Sequence, residues 1–154
     1  MDRTPGSRTL HQLIYSSRVR IPWPDQDREV ESIVHTSIRN NRLVDVTGLL
    51  LVHEGWFVQA LEGPTEAVLA TYSRISGDPR HEDCKVLHAA PAERRSFEDW
   101  NMCARRMTPA DDAILETLSM RASFEPYALT GLQVLRLLKS VRGIQRRTQL
   151  AALG

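Results

Sequence analysis

Apolar residues change their spacing several times along the chain, and each spacing predicts an element of secondary structure. TLHQLIY at residues 9–15 predicts a first strand, and the two prolines in RVRIPWPDQD after it predict a loop. From residue 30 to 38, apolar positions recur every three or four residues. This spacing predicts a helix with one buried face, capped by Asp25 or Asp27 and ending near Asn40 and Asn41.

The middle of the chain predicts a hairpin and a second helix. TGLLLVH and WFVQAL are two strands separated by Glu54-Gly55, a pair typical of a two-residue hairpin turn. GPTEAVLATYSRISGD has a proline near its start, helical apolar spacing and a glycine near its end, so it predicts a helix. CKVLHAA at 84–90 predicts a fourth strand and FEDWNMCA at 97–104 a fifth. From about residue 108 the periodicity is helical, in two parts separated near FEP at 124–126.

This order of elements predicts an α+β fold, a ferredoxin-like βαββαβ sheet with a fifth strand, two helices on one face and additional C-terminal helices. In such a sheet the first and third strands are neighbours. Side chains alternate between the two faces of a strand, so Tyr15 and Gln59 are expected to share a face and to meet.

Polar side chains converge on that otherwise apolar face. Ser37 and Asn41 lie four residues apart on the first helix, and both are expected to face Tyr15 and Gln59. A buried polar group without a partner costs about 1 to 3 kcal/mol. Two interpretations follow: the four groups satisfy one another, or they bind a ring-shaped ligand with alternating donors and acceptors.

Composition excludes several other classes of protein. The chain has 154 residues, 42% of them apolar and 25% charged, which is typical of one globular domain. The longest apolar run, LLLV, is too short to cross a membrane, and the N-terminus has no secretory signal, so we expect a cytoplasmic protein. Cys84 and Cys103 are then free thiols. The five histidines have no metal-ligand spacing, so no metal site is expected.

Charge is distributed unevenly along the chain. Residues 121–154 contain six Lys/Arg and one acid, whereas residues 1–120 contain fourteen and eighteen. The basic end either contacts an acidic partner, nucleic acid or a membrane surface, or is a solvated helix face. The last helix has an apolar row of Leu132, Leu135, Leu138 and Val141. This row either packs on the second face of the sheet or forms a dimer or partner surface.

Five fragments in order resemble one known family. They are LIYSS at 13–17, NN at 40–41 followed by VTGLLL, F.Q.LEG around Gln59, I..D.RH at 75–81 and RSFEDWNM at 95–102. Together they make the chain similar to the BLUF domain, a flavin-binding blue-light receptor module, from about Leu10 to Met102. The resemblance implies a BLUF domain at 8–104 and a C-terminal helical extension at 105–154.

The resemblance also implies roles for individual residues. Tyr15 matches the electron donor to the photoexcited flavin, and Gln59 matches the residue that bridges this tyrosine and the flavin. Flavin-binding positions are matched by Ser37, Asn40, Asn41, Arg74, Asp78, Arg80 and His81. For Arg74 and Asp78 the alternative is an exposed ion pair at i, i+4. Trp100 and Met102 match residues that relay the signal; without the resemblance, Trp100 would be interpreted as a core aromatic.

The function implied is a blue-light photoreceptor, not an enzyme, with FAD as cofactor and FMN or riboflavin as alternatives. Its signal would pass through the strand of Trp100 and Met102 and the C-terminal helices to a protein partner in trans. We expect a homo-oligomer without membrane or nucleic-acid binding. The alternative from another class is a flavin-free ferredoxin-like module that binds protein or nucleic acid. A flavin enzyme would need a catalytic base, and the sequence shows no nucleophile and base pair near the constellation.

Overall fold

Strands and helices follow one another in the predicted order. The computed structural model of the protein describes residues 9–97, 104–106, 112–120 and 122–141. The elements are β1 (Leu10–Val19), α1 (Gln26–Leu43), β2 (Thr47–His53), β3 (Trp56–Pro64), α2 (Thr65–Ser76), β4 (His81–Ala92), β5 (Ala104–Arg106), α3 (Asp112–Thr117) and α4 (131–141). Short 3-10 turns precede α1 and α4, at Trp23–Asp25 and Pro126–Ala128.

The strands form one sheet in the order β4-β1-β3-β2-β5. β1 is antiparallel to both β3 and β4, β2 is antiparallel to β3, and β5 is parallel to β2. The ferredoxin-like arrangement and the adjacency of β1 and β3 are therefore confirmed. Most of the fifth strand predicted at 97–104 is not tested, because residues 98–103 are outside the described residues. Phe97 lies in a bend, and the strand described, Ala104–Arg106, begins at the last predicted residue.

Several element boundaries differ from the predictions. β1 continues to Val19 because its ladder with β3 extends to the pair of Arg18 and Trp56. β4 is an edge strand and runs from residue 81 to 92, so it accommodates Pro91, whose missing N–H does not interrupt an inner ladder. Asp25 occupies the N-cap position of α1, but its carboxylate accepts a 2.7 Å bond from Arg28 and makes no capping bond.

The β2–β3 hairpin turn and the end of β3 depend on glycine or on positive φ angles. In the β2–β3 hairpin, Glu54 and Gly55 have φ angles of 48° and 81°, as expected of a turn that matches the twist of the strands. At the end of β3, the backbone approaches Gly63 closely, and a Cβ there would lie 2.6 Å from the carbonyl oxygen of Asp45. Any side chain at position 63 would collide with this backbone, so the LEG fragment needs glycine there.

The sheet has a separate apolar core on each face. The core under α1 and α2 contains Leu13, Tyr15, Ile21, Val30, Ile33, Val46, Leu50, Val52, Phe57, Leu61 and Val68. The core on the opposite face contains Ile14, Leu49, Leu51, Trp56, Val58, Ala60, Phe97, Leu115, Phe124, Leu129, Val134, Leu137, Leu138 and Val141. The C-terminal elements therefore cover the second face instead of leaving it open.

The packing of α4 resolves the two interpretations of its apolar row. Leu138 and Val141 are buried against the sheet, together with Val134 and Leu137, whereas Leu132 is 59% exposed. The helix thus packs on its own domain, with the buried face displaced from the predicted row. None of the helices in the described part of the chain has the length and hydropathy that a membrane span requires.

Candidate functional site

Tyr15 and Gln59 form the centre of the site. The two residues are directly opposite each other in the β1–β3 ladder, on the face covered by α1 and α2. The hydroxyl of Tyr15 donates a hydrogen bond to Oε1 of Gln59. Complete burial raises the pKa of the Tyr15 phenol well above its usual value, so it keeps its proton at neutral pH. The contact expected from strand alternation is therefore present.

A cleft of about 210 Å³ adjoins this pair. Its lining residues come from α1, β3, α2, the turn before β4 and the first residue of β4: Ile33, Thr36, Asn40, Asn41, Gln59, Thr71, Arg74, Ile75, Asp78, Arg80 and His81. A second cavity of about 250 Å³ shares Asn40, Thr71 and Arg74 with it. The two cavities are therefore adjoining parts of one space between α1 and α2.

Asn41 contributes an unsatisfied donor to the cleft. Its side chain is 2% exposed, and Nδ2 has no hydrogen-bond partner among the described residues. Such a group costs about 1 to 3 kcal/mol unless a ligand accepts its hydrogen bond. This observation favours the ligand interpretation over a network that is complete within the protein, because the donor lines a cavity large enough for a planar group.

His81 lies at the edge of the cleft beside Tyr15 and Gln59. Its Nδ1 is 2.8 Å from the hydroxyl oxygen of Ser17, and its ring is 4.4 Å from that of Phe57, centre to centre. Burial lowers the pKa of His81 to about 4, and Arg80 adds to this effect, while Asp78 opposes it. The imidazole is therefore neutral near pH 7 and can serve as either donor or acceptor.

Asp78 and Arg80 form the charged part of the cleft wall. The guanidinium of Arg80 donates to both carboxylate oxygens of Asp78, at 2.6 and 3.0 Å, and reaches Glu29 on α1 at 3.5 Å. Hydrogen bonds from Arg80 hold the pKa of Asp78 below its usual value. The alternative prediction, an ion pair between Arg74 and Asp78, is wrong because Asp78 pairs with Arg80. Arg74 instead lines both cavities.

Comparison with known protein families identifies the family of this chain. A sequence model described as "BLUF: Sensors of blue-light using FAD" matches residues 10–103. The chain belongs to the BLUF family. The expected resemblance is thereby confirmed, and the polar cleft over Tyr15 and Gln59 lies within the matched segment.

Relatives cover this BLUF segment to different extents. The chain is 34% identical over 129 residues to the photoactivated adenylate cyclase subunit beta of Euglena gracilis, covering 79% of this chain and 15% of that protein. It is 36% identical over 107 residues to the blue light- and temperature-regulated antirepressor BluF of Escherichia coli K12, covering 68% and 26%. The dark-state structure of BlrB, a BLUF protein, superposes with a TM-score of 0.70 at 31% identity, covering 90% of this chain and 98% of BlrB. The chain therefore spans about a quarter or less of the first two proteins.

Most of the predicted BLUF site residues meet at the cleft. Asn40, Asn41, Gln59, Arg74, Asp78, Arg80 and His81 line it, and Tyr15 is bonded to Gln59. Ser37 belongs to α1, but its side chain lies outside the described part of the chain, as do Trp100, Met102 and Cys103. Cys84 is a free thiol, as expected.

Sequence reasoning missed two threonines of the cleft. Thr36 precedes Asn40 by four residues on α1, and Thr71 precedes Ile75 by four residues on α2. Helical spacing places each on the same side as a residue that was considered. That periodicity was the signal available in the sequence.

Proposed function

We propose that this BLUF chain is a blue-light photoreceptor in which Tyr15 and Gln59 form a photochemical switch beside a non-covalently bound flavin. The observation that carries the proposal is the hydrogen bond between these two side chains at the edge of a cleft that contains an unsatisfied amide donor. A flavin fits this cleft because its pyrimidine edge presents acceptors and a donor to polar side chains.

The proposed binding roles are those that the family resemblance implies, and the cleft lining supports them because it contains Asn40, Asn41, Arg74, Asp78, Arg80 and His81. Asn41 would donate to the pyrimidine edge, with Asn40 and Ser37 nearby. Arg74, Asp78, Arg80 and His81 would hold the ring edge and the ribityl-phosphate side. FAD is the proposed cofactor, in keeping with the family description, and FMN and riboflavin are the alternatives.

The switch chemistry belongs to Tyr15 and Gln59. A bound flavin supplies absorption of blue light and an excited state that accepts an electron. Tyr15 would give an electron to this excited state, and its acidified phenol would pass a proton along the existing hydrogen bond to Oε1 of Gln59. Electron and proton would return to Tyr15 on recombination. The Gln59 amide has an acceptor on one side and donors on the other, so rotation or tautomerisation reverses the direction of its hydrogen bonds.

Absorption spectroscopy of the purified protein tests this function. We expect a yellow protein whose flavin band shifts slightly to the red after brief blue light and returns in darkness. Chromatography of the flavin released by denaturation identifies it as FAD, FMN or riboflavin. A protein that binds none of these flavins, or whose band does not respond to light, would contradict the proposal.

We also propose that the chain is a sensory protein acting on a protein partner in trans and that it assembles as a homo-oligomer. The name of the E. coli relative, an antirepressor, supports a protein partner. Trp100, Met102 and the helices after residue 105 are proposed to relay the signal, and the division at 8–104 and 105–154 stays a proposal. Exposed Leu132 and a cavity of about 590 Å³ between α3 and α4 offer a surface for either contact. Pull-down from dark and illuminated extracts, and light scattering of the purified protein, test the two points separately.

The flavin-free binding module has less support. RNA-binding sheets of this topology expose stacking aromatics on their open face. Here Trp56 is 8% exposed and lies under Tyr127, with ring centres 4.8 Å apart. The C-terminal elements described by the structure thus occupy the surface that such a module would need.

A further inference from the structure

A second polar pair lies on the same two strands as the switch pair. Gln12 and Glu62 are directly opposite in the β1–β3 ladder, three residues along each strand from Tyr15 and Gln59. Three residues along a strand lead to the opposite face. Nε2 of Gln12 donates to Oε2 of Glu62 at 2.6 Å, so each face of this ladder carries one buried polar pair.

Glu62 binds the backbone of the segment that follows β4. Its carboxylate is 1% exposed and accepts from the amide N–H of Ser96 at 2.8 Å and from that of Phe97 at 2.6 Å. Arg95 adds bonds to Thr47 and to the carbonyl oxygen of Glu62, at 2.8 and 3.0 Å. Hydrogen bonds to a charged acceptor are about twice as strong as neutral ones. Residues 95–97 are therefore held on the middle of the sheet by β3.

Gln12 extends the network toward α4. Its Oε1 is 3.1 Å from Nε2 of His88 on β4. On the other side of that ring, a Cβ added at Gly131 in the first turn of α4 would lie 3.0 Å from Nδ1. Gln12 and Glu62 consequently connect β1 and β3 to the 95–97 segment and, through His88, to the start of α4.

We propose that Glu62, held by Gln12, is a positioning residue of the light response, which couples the strand of Gln59 to the backbone at Ser96 and Phe97. This rests on the proposed photoreceptor function. Gln59 and Glu62 share β3, so a changed hydrogen bond at Gln59 that shifts this strand must be accommodated at the carboxylate. Because Glu62 binds two consecutive amides, the shift reaches the 95–97 segment and sets how fast the lit state relaxes.

The test compares wild-type holoprotein with Glu62→Gln. The amide signals of Ser96 and Phe97 are recorded by NMR in darkness and under blue light, and the red shift and its dark recovery are followed by absorption. In the wild type we expect both amide signals to change with light. In Glu62→Gln we expect an intact red shift, no light-dependent change at the two amides and a recovery rate altered by about tenfold, because one carboxylate oxygen becomes an amide donor. Glu66→Gln, the same change at an exposed residue of α2, should behave as wild type.

The outcomes separate this proposal from the function on which it rests. A wild type without a red shift contradicts the photoreceptor itself. A wild type with the red shift but unchanged Ser96 and Phe97 signals overturns only the role of Glu62, and so does Glu62→Gln with wild-type recovery. If Glu62→Gln does not fold, the wild-type amide signals decide, together with Gln12→Met, which retains the carboxylate and should still alter the recovery rate relative to wild type.

Discussion

The two faces of the central strands carry similar polar pairs in different surroundings. Tyr15 and Gln59 adjoin a cleft of about 210 Å³, and the neighbouring amide of Asn41 has no partner in the described residues. Gln12 and Glu62, on the opposite face, are enclosed by β4 and the 95–97 segment, whose side chains and amides complete their hydrogen bonds. The first pair is open to a ligand, whereas the second is closed by the protein.

This difference shows that the covering elements decide what a buried polar pair does. Each pair combines a carboxamide with a second polar side chain, and each lies in the same antiparallel ladder. Two helices over the first pair leave a space that the protein does not fill. A loop over the second pair supplies backbone donors at 2.6 and 2.8 Å. The pair under the helices is therefore suited to chemistry, and the pair under the loop to holding a segment in place.

The largest expected effect comes from Tyr15→Phe, which removes the hydroxyl from the open pair. We expect the protein to retain its flavin, because the cleft lining is unchanged, and to lose the light-induced red shift completely, because no phenol proton remains to move to Gln59. Absorption before and after a blue flash measures both properties.

Tyr72→Phe is the matched control for this variant. The Tyr72 ring packs against that of Tyr15, with centres 5.2 Å apart. The control removes a hydroxyl from an adjacent ring without touching the hydrogen bond to Gln59, so the red shift should persist. A normal photocycle in Tyr15→Phe would show that the switch chemistry is assigned to the wrong residue.

The same comparison explains how far the sequence predicts the molecule. Strand alternation and the order of elements were enough to bring Tyr15 and Gln59 together, because both depend on local periodicity and on one fold rule. The role of Glu62 was not predictable in this way, because its partners at residues 96 and 97 are backbone amides, which leave no side-chain pattern. The resemblance added Asn40 and His81, which spacing alone did not connect to Tyr15 and Gln59.

Asp78 shows a different limit to the prediction of contacts from sequence. The i, i+4 spacing made Arg74 an alternative partner for Asp78, but α2 ends at Ser76, so helical spacing does not extend to Asp78. The turn that follows brings Arg80 to the carboxylate instead. Spacing rules predict contacts only while the regular element continues.

A smaller effect is expected from the pH response of His81 on the open face. Its pKa is lowered from 6.5 to about 4 in the folded protein, chiefly by burial. The unfolded chain therefore takes up a proton between pH 6.5 and 4 that the folded chain does not. Folding stability is unaffected by this group above pH 6.5 and falls as the pH drops toward 4, by about 3 kcal/mol at most.

Substitution of His81 should remove this part of the acid sensitivity. We expect His81→Gln to flatten the decrease in the free energy of unfolding between pH 6.5 and 4, measured by urea denaturation of flavin-free protein. His35→Gln, at an exposed position of α1, is the control and should keep the wild-type slope. Equal slopes for His81→Gln and wild type would mean that the imidazole is not kept neutral by its site.

The smallest effects, of about 1 to 3 kcal/mol, should differ between the two faces: a substitution on the open face should lower flavin affinity, and one on the closed face should lower flavin-free stability. Asn41→Leu removes a donor that has no partner among the described residues, so flavin affinity should fall by about 5- to 150-fold while the flavin-free protein keeps or gains stability. Gln12→Met removes bonds that the protein itself completes, so flavin-free stability should fall by about 1 to 3 kcal/mol while flavin affinity stays within about twofold. Flavin titration and urea denaturation of both variants measure the two quantities. If both substitutions lowered the same quantity, the distinction between an open and a closed pair would not hold, because each amide would then be serving the same purpose.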